Sequence, residues 1–126
     1  MRILGLLLLL CAGIVQAQGA CVAGAPGVAA TATLTFNAPT TNTDGTPIAT
    51  PLTYTLYQGV ASGAETKLQS GLTGSPVTIN SGLTDGTTFY WYIIVVDAKG
   101  SLSAPSNEVC KIFPVGTPST VALTAS

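Results

Sequence analysis

The chain has 126 residues, of which 7% are charged and 47% hydrophobic, with 14 Gly, eight Pro and a formal net charge of −1. One domain accounts for that length, and no basic patch exists to support nucleic-acid binding. The absence of His removes the commonest general base and a common metal ligand, and low charge with abundant Thr, Ser, Gly and Pro points to an all-β extracytoplasmic module.

Arg2 precedes an apolar run over residues 3–15, and Val15-Gln16-Ala17 offers small residues before Gln18. A basic start, an apolar stretch too short to cross a bilayer comfortably and a small-residue cleavage site make up a secretory signal peptide over residues 1–17. The alternative for this run is a membrane anchor or a buried helix. Cleavage removes Arg2 and Cys11, leaving three Lys against five acids (net −2) and two cysteines, Cys21 and Cys110. An even number of cysteines bound for an oxidising compartment predicts a Cys21–Cys110 disulfide. It would close almost the whole domain into one loop, worth about 4 kcal/mol by chain entropy, less any strain. The competing expectation is a lipid on Cys21, since Gln18-Gly19-Ala20-Cys21 has the small residues of a lipoprotein signal, though not the usual aliphatic residue three places before the Cys. The first expectation makes the protein secreted or periplasmic. The second tethers it to a membrane through Cys21. Neither leaves an integral membrane segment after cleavage.

Residues 19–29 are rich in Gly and Ala and support little more than a short edge strand. Residues 30–38 alternate, with Ala32, Leu34 and Phe36 inward and Thr31, Thr33, Thr35 and Asn37 outward, until Pro39 stops them. Residues 40–51 form a loop with a turn at Asp44-Gly45. Residues 52–57 alternate again, with Leu52, Tyr54 and Leu56 inward and Tyr57 outward. Short strands follow over residues 65–69 and 76–80, the latter with Val77 and Ile79 inward. Asp85-Gly86 then opens the longest run, Phe89-Tyr90-Trp91-Tyr92-Ile93-Ile94-Val95-Val96, whose aromatic and β-branched residues suit a strand. Phe89, Trp91, Ile93 and Val95 share one face and Tyr90, Tyr92, Ile94 and Val96 the other. Both faces are apolar, which predicts a central strand. A turn at Lys99-Gly100 leads to a last strand over residues 107–113. Seven short strands between frequent turns predict an all-β, seven-strand antiparallel sandwich of the immunoglobulin-like kind.

Several of these segments resemble a fibronectin type III domain. Thr33-Leu34-Thr35-Phe36-Asn37-Ala38-Pro39 is similar to its second strand and Tyr54-Thr55-Leu56-Tyr57 to its third. Gly82-Leu83-Thr84-Asp85-Gly86-Thr87-Thr88-Phe89 resembles the turn into its sixth strand. Val95-Val96-Asp97-Ala98-Lys99-Gly100 and Ser103-Ala104-Pro105-Ser106-Asn107-Glu108-Val109 resemble the corner that follows and the last strand. The resemblance covers about residues 20–113, so the expected domain is 18–113 and residues 114–126 are a C-terminal tail. Phe36 stands where the family has a Trp, and Phe89 where it has a corner Tyr. The second change removes a hydrogen bond worth on the order of 1 kcal/mol. By analogy the resemblance implies a spacer, adhesion or binding module in a cell-surface, secreted or phage virion setting. Arg-Gly-Asp is absent, so integrin binding does not carry over.

No catalytic residues are expected, and neither a cofactor nor a metal. Asp44, Asp85 and Asp97 sit beside Gly or at strand ends, where Asp caps backbone N–H groups. No segment has the dense Asp spacing of a calcium loop. Nothing pairs two acids across a cleft, and no Ser or Thr has a base. Lys67, Lys99 and Lys111 read as solvated surface. The candidate binding residues are Tyr57, Tyr90, Tyr92 and Ile94, an outward aromatic face suited to a protein or a glycan. The alternative is ordinary cross-strand aromatic pairing. The tail alternates weakly over residues 118–125, which suits either a flexible end or a strand added to a sheet edge. In the latter case the chain is an accessory component of a cell-surface or phage virion assembly, joined through that strand. The sequence sets no oligomeric state.

Overall fold

The computed structural model describes residues 21–116 and 121–126. The signal peptide expected over residues 1–17 lies outside the described residues. Seven strands form among the described residues: β1 Val22–Ala23, β2 Ala32–Leu34, β3 Thr53–Gly59, β4 Thr66–Leu72, β5 Val77–Ile79, β6 Thr87–Val96 and β7 Val109–Phe113. No helix occurs among the described residues.

The strands make two sheets, one of five strands in the order β1-β7-β6-β3-β4 and one of two, β2-β5. The β6 strand is central, as its two apolar faces predict. It pairs antiparallel with β3 from Thr53↔Val96 to Gly59↔Tyr90, and with β7 from Thr87↔Phe113 to Trp91↔Val109. The sandwich is not purely antiparallel, however. The β1 strand pairs parallel to β7, Val22 beside Lys111 and Ala23 beside Ile112. A parallel pair of first and last strands needs no connecting turn, so no turn residue signals it. Cys21, just before β1, is bonded to Cys110 on β7, with S–S 1.95 Å and Cα–Cα 4.7 Å. That bond holds β1 against β7 and leaves β5 as the one strand paired with β2 among the described residues.

Element lengths also differ from expectation. The β2 ladder stops at Leu34, and the Phe36 N–H donates to Ser75 Oγ at 2.9 Å instead of to a strand partner. The β4 strand runs on to Leu72 because β3 meets it through a shifted register, with irregularities between Tyr54 and Tyr57.

The inward sets meet as the alternation predicts. Leu56, Trp91, Phe89, Phe113, Ala32, Val77 and Ile79 form the main cluster, and Tyr54 with Val95 forms a second. Phe36, Leu72 and Ile93 touch both. Trp91 is 1% exposed, and its indole N–H donates to Gln58 Oε1 at 2.7 Å, so burial leaves no unmet donor. Phe89, in the corner position, is buried edge-on to Phe113 with ring centroids 5.9 Å apart. Phe36 packs on Tyr54 at 4.7 Å.

The turns form where the Asp and Gly residues mark them. Asp97 Oδ1 accepts from the N–H groups of Lys99 and Ser101 at 2.9 and 2.8 Å, and Asp44 Oδ1 accepts from the Thr46 N–H at 3.0 Å. Lys111 departs from its surface reading. It lies opposite Phe89 on the inward side of β7, donates from Nζ to Thr31 O at 2.8 Å, and sits 5.3 Å from the Phe113 ring centre.

Candidate functional site

The outer face of the five-stranded sheet carries the four residues singled out from the sequence. The register pairs Tyr57 on β3 with Tyr92 on β6, and their rings stack 4.7 Å apart at 10°. Tyr90 lies opposite Gly59 on one side and Cys110 on the other, next to the disulfide. Ile94 lies opposite Thr55, one outward position beyond the tyrosine pair. All four side chains are half-buried. Lys67 on β4 is the register partner of Tyr57.

The β3–β4 hairpin bends close over this face, and Gly59 permits it. A Cβ on Gly59 would come within 2.8 Å of Ala64 O and 2.9 Å of Glu65 Cα, both backbone atoms that cannot yield cheaply. The hairpin tip is tied across the sheet to Glu108, whose carboxylate accepts from Ser62 Oγ at 2.7 Å and from the Gly63 N–H at 3.1 Å.

This fold brings Glu65 and Glu108 together, a pairing the sequence offered no reason to make. The two are 43 positions apart and meet only through the hairpin bend and the β6–β7 register. Burial, then the hydrogen bond and charge of Glu108, hold the Glu65 carboxyl above the usual carboxylate range. Its Oε2 is buried with no hydrogen-bond partner among the described residues, which further favours the neutral form. Glu108 is held below the usual range by hydrogen bonds from Glu65, Ser62 and Gly63, against the opposing effect of burial. In the acidic range between the two shifted values, a neutral Glu65 donates to an ionised Glu108. Tyr92 is next to this pair. Burial, then Tyr57 and Glu65, push its hydroxyl upward, so it stays a neutral donor.

The arrangement is therefore a stacked pair of tyrosines beside two carboxyls that share a hydrogen bond. It offers an aromatic surface with polar tips, hydroxyl donors and carboxylate acceptors. Hydrolysis by paired acids requires a separation of about 5 Å or more for a sugar and its nucleophile, whereas these two contact each other. Among the described residues no three His, Cys, Asp or Glu side chains come together as a metal site.

No protein-family model and none of the curated proteins compared matches the chain. Among solved structures it is similar to the crystal structure of a Fn3-like protein from Clostridium thermocellum, with a TM-score of 0.53 and 22% identity over 77% of this chain and 90% of that one. At that identity the likeness speaks for the fold. Together with the seven strands in two sheets and the core they enclose, it shows that the chain folds as a fibronectin type III-like domain.

Proposed function

We propose that this protein is a secreted or periplasmic, non-enzymatic binding module whose outer sheet face takes a glycan. The observation that carries the reading is the Tyr57–Tyr92 stack with the Glu65–Glu108 pair beside it. A sugar offers a C–H face that packs on an aromatic ring and a rim of hydroxyls that bond to carboxylates and phenols. Both halves of that recognition are adjacent here, the tyrosines on the interior strands β3 and β6 and the two carboxyls on the segments that lead into β4 and β7. The Cys21–Cys110 bond supports an oxidising compartment. No helix among the described residues is long and apolar enough to cross a membrane.

Calorimetric titration of soluble oligosaccharides into the protein and into its Tyr57→Ala/Tyr92→Ala double variant tests the reading. Binding by the native chain, weakened about tenfold or more in the double variant, a loss of about 1.4 kcal/mol, is the expected result. A glycan bound equally well by both overturns it. Binding of a protein through the same tyrosines, with no glycan bound, would keep the face and replace the ligand class.

A further inference from the structure

Among the described residues the β2 strand is paired on one side only, and its other edge opens onto a groove. The Phe36 N–H points to the β5 side, where it meets Ser75 Oγ. Backbone groups alternate in direction along a strand, so those of Ala32, Leu34 and Phe36 face β5, and those of Thr31, Thr33 and Thr35 face away. The Lys111–Thr31 O bond agrees, since it reaches that outer edge from β7. The N–H and C=O groups of Thr33 and Thr35 therefore face the groove, where no described strand pairs with them. The groove has a volume of about 350 Å³ and lies between this edge and the β6–β7 side, lined among others by Leu34, Phe36, Trp91, Ile93, Val109 and Lys111. An unpaired edge beside apolar lining is a template for one more strand.

The chain carries a segment that fits. Residues 121–126 read Val-Ala-Leu-Thr-Ala-Ser, carry no charged side chain, and place Val121, Leu123 and Ala125 on one face of an extended strand. Six extended residues span about 20 Å, the length of the edge from Thr31 to Phe36. Val121 and Leu123 are 86% and 91% exposed, and no described residue of the same chain fills the groove. We infer that the β2 edge receives the tail strand of a second copy of this chain, with Val121 and Leu123 turned into the groove. Each copy then has one donor tail and one acceptor edge, a head-to-tail contact that propagates unless it closes into a ring. This inference is independent of the tyrosine face, which lies on the outer side of the five-stranded sheet.

Sedimentation of the full chain from micromolar to millimolar concentration tests it, alongside two variants. Leu123→Lys disables the tail at a fully exposed position. Thr33→Pro removes an N–H that no β5 group uses and so disables the edge. The native chain is expected to grow in mass with concentration, and each variant alone to remain a monomer. An equimolar mixture of the two is expected to stop at dimers, since only one tail and one edge remain competent. Hydrogen exchange of the tail amides completes the test. A native chain that stays monomeric overturns the inference, whether its tail amides are protected, as in docking on its own β2, or unprotected. Association that persists in Leu123→Lys also overturns it, and that arm stands even if Thr33→Pro fails to fold.

Discussion

Trp91 and Tyr92 are neighbours on one strand, and they end in opposite environments. Trp91 is sealed between the sheets, with its indole N–H bonded to Gln58. Tyr92 stays half-buried on the outer side, stacked on Tyr57 and next to the Glu65–Glu108 pair. In composition the two faces of β6 look alike, aromatic at one end and aliphatic at the other. What separates them is what covers each face: a second sheet on one side, a hairpin tip and solvent on the other. Alternation identifies the two faces, but only the packing of other elements decides which becomes core.

The comparison breaks most visibly through Trp91→Ala. Emptying that site is expected to cost roughly 3–5 kcal/mol in urea unfolding, because the surrounding core cannot fully collapse. Reducing the Cys21–Cys110 bond, which clips β1 to β7 beside Tyr90, is expected to cost up to about 4 kcal/mol and to lower the melting temperature accordingly. An unchanged melting temperature would contradict its structural role. Tyr92→Ala, one residue from Trp91, is expected to cost on the order of 1 kcal/mol, the worth of a ring stack at a half-buried position.

The outer face also has a pH signature in the acidic range. Glu65 has a raised folded-state value, so its contribution to stability is present at low pH and is lost as pH rises through that value. Glu108 has a lowered value, so its contribution is present above the ordinary carboxylate range and is lost as pH falls through the folded value. The pair therefore stabilises the fold most in the acidic window between the two. The smallest expected effect is that Glu65→Gln flattens the upper limb of the urea midpoint plotted against pH and leaves the lower limb in place.

The core could be read from the sequence because period-two alternation marks β3, β5 and β6. Leu56, Trp91, Val77 and Ile79 all lie on the side it assigns, and the fibronectin type III motifs put those strands in order. The parallel β1–β7 pair was not legible, since two residues of β1 carry no pattern and no turn joins it to β7. Lys111 was misread for a related reason. A charged residue on an inward position signals surface, yet here the open flank beside β2 lets its ammonium reach Thr31 O. The tyrosines were visible as an outward set, but the Glu65–Glu108 contact depends on the bend at Gly59 and on inter-strand register, neither of which has a local signature.

The most direct test of the functional account is an NMR titration of the native chain with the oligosaccharide that calorimetry selects, following the ring signals of Tyr57 and Tyr92 and the indole signal of Trp91. The account predicts that the two tyrosine rings shift together and saturate while the Trp91 indole stays in place. Shifts confined to the loops, or to Trp91 and the β2 groove, would contradict it and move binding away from the outer face.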